Sequence, residues 1–158
     1  VVNAGRCGYR ATDYWNYLQS GAVSVQDADA IVILLGTNGG NDPDRDTPDN
    51  DAYRNILRWC HAHAPTATVF LGTPPHATRN PAVSNCGYAD QAEAGARFVR
   101  RVAQETGDVL IDLAKCPAFC AENEAVMQPN DGLHFSAVGY ELLAQNVEAA
   151  LREHLKCD

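Results

Sequence analysis

Lysine is nearly absent from this chain, with only Lys115 and Lys156 present. Twelve basic residues face twenty acidic ones, for a formal charge of -8 with histidine neutral. No Lys/Arg stripe is available to neutralise phosphates, which argues against a nucleic-acid partner. A continuous apolar run of membrane-spanning length is missing too, so no membrane span is expected. None of the six cysteines (Cys7, Cys60, Cys86, Cys116, Cys120, Cys157) belongs to a paired CxxC arrangement, which speaks against structural zinc. No metal and no cofactor is expected. No signal-peptide pattern is read in the first residues given. The chain opens with Val1-Val2-Asn3-Ala4-Gly5, which reads as the end of a buried strand entering a glycine turn. The expectation is that something preceded it and was removed, or is supplied as another polypeptide.

What is present suits one globular unit. A length of 158 residues with 46% apolar content supports a single domain over 1–158. An even and high cysteine count favours disulfides in a secreted or extracellular protein over free buried thiols, with fifteen pairings open. Continuously apolar Ala30 to Leu35 reads as a central strand of a parallel sheet, with further strands at Val1–Asn3, Thr68–Gly72 and Asp108–Asp112. Helices are expected over Asp13–Leu18 with Thr12 as cap, from about Asp49 to His63, over Tyr88–Glu105, and from Ser136 to about Leu155. Apolar strands alternating with helices give an α/β three-layer sandwich, with a mainly parallel flavodoxin-like sheet and its polar loops at one edge.

Two of those loops carry chemistry. Asp131-Gly132-Leu133-His134 stands just before the last helix, with an acid placed to orient a base. Gly36-Thr37-Asn38-Gly39-Gly40-Asn41-Asp42 follows the strongest strand. Thr37, Asp42 and His76 are candidates for a substrate groove, although Asp42 and His76 could equally be plain loop residues facing solvent.

Three stretches in this order resemble the SGNH, or GDSL-type, serine hydrolases. Asn3-Ala4-Gly5-Arg6-Cys7-Gly8 resembles the family's second block, which implies that the Gly8 N–H serves an oxyanion hole. Gly36-Thr37-Asn38 with Asn41-Asp42 resembles the third block and implies the same for the Asn38 side-chain amide, although Gly39 stands where the family commonly has Asp. Asp131-x-x-His134 resembles the fifth block, with Asp131 as orienting acid and His134 as general base. The first block, a Gly-Asp-Ser carrying the nucleophile, is missing. Ser20, Ser24, Ser84 and Ser136 all lie outside a strand-to-glycine-turn setting. Cys7 is assigned to a disulfide before nucleophilic use.

The resemblance therefore implies that the first strand, with the attacking Ser, comes from an N-terminal companion peptide inserted between Val1–Asn3 and Ala30–Leu35. The implied activity is a Ser-His-Asp esterase acting on a small-molecule or glycan ester, a polar one such as an acetylated carbohydrate. This chain alone would be inactive. The alternative is an inactive protein of the same fold that binds a carbohydrate or ester.

Overall fold

Phe70 and Leu71 are neighbours in one strand, point to opposite faces of a sheet, and are both wholly buried. That double burial is what a central parallel strand requires. In the computed structural model, which describes residues 1–155, β1 (Ala30–Ile33), β2 (Thr68–Gly72) and β3 (Val109–Ile111) pair in parallel in that order. Ile31 stands opposite Val69, Phe70 opposite both Val32 and Val109, and Leu71 opposite Leu110.

The helices are α1 (Ala11–Gln19), α2 (Pro48–His63), α3 (Tyr88–Thr106), α4 (Glu124–Met127) and α5 (Ala137–His154). Tyr53, Ile56, Leu57 and Cys60 of α2 and Phe98, Val99 and Val102 of α3 pack on Val69 and Leu71 at one face. Ala11 and Leu18 of α1 join that cluster. On the other face Phe70 and Ile111 meet Leu142, Leu143, Val147 and Leu151 of α5. The outcome is the expected layering of helices on both sides of a parallel sheet.

Local chemistry accounts for the boundaries. The Thr47 hydroxyl accepts the Asn50 N–H at 3.1 Å, Pro48 opens α2, and Asp49 and Asp51 sit in its first turn. Ser136 caps α5 by accepting the Gly139 N–H at 3.1 Å. At α1 the cap is Arg10, not Thr12; the Thr12 hydroxyl and N–H both donate to Asp49 Oδ1 at 2.9 Å, tying α1 to α2. The loop after β3 holds two short 3-10 turns and α4, which no periodicity announces.

Two further expectations are corrected. Val1–Asn3 are irregular and exposed, and they pair with no strand. Their two valines cannot make a strand without a ladder partner. The edge of β1 away from β2 has no neighbour among the described residues, and Val32 and Leu34 near it remain exposed.

The second correction concerns disulfides. Cys7, Cys60, Cys86, Cys116 and Cys120 are all free thiols; Cys157 lies outside the described residues. Cys60 is buried in the α2 core, Cys116 packs beside Phe119, and the Cys120 thiol bonds the Glu122 carboxylate, so the fold sends these side chains apart. The expectation of a secreted protein, which rests on paired cysteines, takes no support from these five. No helix among the described residues is long and apolar enough to cross a membrane.

Alkylation of the unfolded, unreduced chain should therefore label all five of these cysteines. In the native chain Cys60 should react last, because burial, then the Asp108 charge, pushes its thiol up to about 11. Any of the five left unlabelled until reductant is added would restore the disulfide.

Candidate active site

Asp131 to His134 form a tight turn between α4 and α5. Asp131 Oδ1 accepts the backbone N–H of Leu133 at 3.0 Å and of His134 at 2.8 Å. Its Oδ2 lies 2.6 Å from His134 Nδ1. An ionised carboxylate only accepts, so Nδ1 carries a proton, and in the neutral tautomer that this fixes, Nε2 is the acceptor. The imidazole is exposed, and among the described residues Nε2 has no partner. The His134 hydrogen bond, helped by the two backbone N–H groups and opposed by burial, holds the Asp131 carboxyl at about 2.

Gly132 makes the turn possible. Its φ of +69° is a left-handed conformation, and a Cβ there would lie 2.1 Å from Thr78 Cγ2. Only glycine satisfies both demands. The Gly132 carbonyl accepts the Thr78 N–H at 2.8 Å, which fixes the turn to the loop after β2.

Gly8 and Asn38 come together at a second point. Asn38 Nδ2 donates to the Tyr9 carbonyl at 3.0 Å, and Arg10 Nε donates to the Asn38 carbonyl at 3.1 Å. One amide hydrogen of Asn38 is thus used for orientation and the other has no acceptor among the described residues. The Gly8 N–H has no acceptor among the described residues. These are two spare donors on adjoining loops. No hydrogen bond joins them to His134 among the described residues.

The three groove candidates differ. Thr37 is half-buried in the turn after β1. Asp42 is engaged locally: it accepts the Asp44 N–H at 2.9 Å and pairs with Arg45 at 2.8 Å. Half-buried His76 places Nε2 2.6 Å from Glu124 Oε1, and it lines a cavity of about 440 Å³ with Pro74, Pro75, Ala92, Arg100 and Phe119. Sequence reasoning missed Thr78, Glu124 and Gln128, which lie against the Asp131 turn. Nothing in their local pattern marks them; only the crossing of two loops does.

No hydrogen bond joins any of the four serines to His134 among the described residues. Ser136 caps α5 while its hydroxyl donates to the Val126 carbonyl at 2.7 Å, Ser20 donates to the Tyr17 carbonyl at 2.7 Å, and Ser24 precedes β1. Ser84 sits in the turn segment before α3.

A carboxyl lowered in the folded chain stabilises it above the unfolded value of about 3.9 and loses that contribution as pH falls towards the folded value. For Asp131 the window runs from about 3.9 down to about 2. Denaturant unfolding at stepped pH should show wild type losing more stability across this window than Asp131→Asn. Parallel curves would remove the pair from the acid response.

Comparison with solved structures gives the same architecture. The lipase/acylhydrolase from Enterococcus faecalis is 27% identical, with a TM-score of 0.73 over 100% of this chain and 78% of that one. A possible lipase from Chitinophaga pinensis is 18% identical, with a TM-score of 0.73 over 96% and 82%. An acetyl xylan esterase, AlAXEase, is 18% identical, with a TM-score of 0.66 over 94% and 79%. No curated protein matches. Residues 1–142 match the GDSL-like Lipase/Acylhydrolase family, and the chain belongs to that family.

Proposed function

We propose that this chain is the larger part of a serine esterase whose attacking hydroxyl arrives on a strand added at the free edge of β1. The observation that carries the reading is the His134 ring, oriented through Nδ1 by Asp131, with Nε2 unpartnered and no serine bonded to it among the described residues. The unpaired edge of β1 with exposed Val32 and Leu34 supports it, because an open apolar edge favours strand addition.

In this mechanism Nε2 of His134 takes the proton from the incoming serine as its oxygen attacks the ester carbonyl. The negative charge of the tetrahedral intermediate moves onto the former carbonyl oxygen, which accepts from the Gly8 N–H and the free Asn38 amide hydrogen. Asp131 stabilises the imidazolium. The imidazolium returns its proton to the departing alkoxide, leaving an acyl-enzyme and an alcohol. Water, deprotonated by His134, then releases the acid and restores the serine. Removing one oxyanion donor costs about 2.7–4 kcal/mol in the barrier.

The substrate we favour is a polar ester such as an acetylated carbohydrate. The loops around Asn38 and His134 are rich in Asn, Asp, Thr and Arg, and no long apolar lid is present among the described residues. An acetyl xylan esterase shares the fold, but at 18% identity it speaks only for the fold. A binding protein that has lost its nucleophile is the second reading, and the placement of Ser20 and Ser136 in structural bonds favours it.

Material purified from its source and treated with a serine-directed fluorophosphonate should carry the label on a companion peptide. Asp131→Asn should lower kcat on the order of 10⁴-fold in the assembled enzyme. An unlabelled species of 17.1 kDa with no companion would favour the binding protein; label on Ser136 would require another site.

A further inference from the structure

The Asp131–His134 turn is held from beneath by side chains that play no part in the chemistry above. Gln128 is 4% exposed, and its Nε2 donates to the His76 carbonyl at 2.7 Å and to the Leu133 carbonyl at 3.2 Å. Its own carbonyl accepts the Gly132 N–H at 3.1 Å. Glu124, one helical turn earlier, takes the His76 ring on Oε1 at 2.6 Å and the Thr78 hydroxyl on Oε2 at 2.7 Å. The loop after β2 and the end of α4 thereby close on the turn from two sides. His76 is consequently engaged as a strut, by ring and by carbonyl, and not merely as a groove wall.

We propose that Gln128, supported by the Glu124–His76 pair, is a positioning residue that sets the geometry between Asp131 and His134. The proposal rests on the esterase reading for its purpose but not for its test. The physical ground is that one buried amide supplies the donors for two carbonyls on different loops. Without it the His76 and Leu133 carbonyls, both in half-buried residues, lose this donor, and partly buried acceptors left unpaired cost enough to shift the backbone. Leu133 lies between the two residues of the pair and bonds Asp131 through its own N–H. A displacement there loosens every bond that the carboxylate accepts.

The Asp131 carboxyl reports this directly by carbon NMR titration of the chain. Wild type should titrate at about 2. Gln128→Met, similar in length and without donors, should move the midpoint up towards the ordinary carboxylate value of about 3.9. Val102→Ala, in the α3 core far along the chain from the turn, should destabilise the fold and leave the midpoint in place. A folded Gln128→Met with Asp131 still at about 2, or an equal rise in Val102→Ala, would overturn the proposal. Should Gln128→Met fail to fold, Glu124→Gln decides: it keeps the shape, weakens the hold on His76, and should raise the midpoint by a smaller step. No rise there would overturn the proposal as well. The titration needs no ester turnover, so a failed esterase reading and a failed positioning role give different results.

Discussion

The constraint on which the structure depends is the burial of β2 on both faces. Phe70 commits one face to α5, and Val69 and Leu71 commit the other to α2 and α3. Burying such side chains contributes about 1.5–3 kcal/mol each. A strand with no polar face cannot lie at a solvent-exposed surface, so β1 and β3 must flank it and helices must cover both sides. Parallel pairing then sends every strand-end loop to one edge. The polar loops after β1 and β2 are brought there by that apolar demand.

At that edge the electrostatics are local. Asp131 accepts two backbone N–H groups and faces His134, and all three interactions favour the ionised carboxylate. The surroundings are built by the same device. At Glu124 burial works to raise the carboxyl, and the bonds from His76 and Thr78 outweigh it. Thr73, Arg100 and Asp112 tie the ends of β2 and β3, with Arg100 donating to Asp112 at 2.8 and 2.9 Å. Carboxylates that accept from neighbouring loops brace this edge, which suits an acidic chain with little lysine.

Much of this was legible in the residues. The apolar run from Ala30, the stripe of Tyr53, Ile56, Leu57 and Cys60, and the Ser136 cap each follow from local rules of period and capping. Asp131 and His134 were legible because three residues of separation allow a turn to close the pair. The cysteines misled, since an even count says nothing about where thiols point; Cys60 is on a core helix and Cys120 turns to Glu122. Val1–Asn3 misled for a different reason. Strand propensity describes a residue's fit to a sheet, and a sheet position exists only where a neighbour does.

By itself, then, the sequence determined the α/β layering and the Asp131–His134 pairing, because each depends on neighbours within a few residues or on periodic burial. The tertiary structure alone decided that Val1–Asn3 lie outside the sheet, that the five described thiols stay unpaired, and that Gln128 reaches both His76 and Leu133. Those outcomes depend on contacts between segments about fifty residues apart, as with Gln128 and His76. Distances across that span are set by packing of the whole sheet, which no local pattern records.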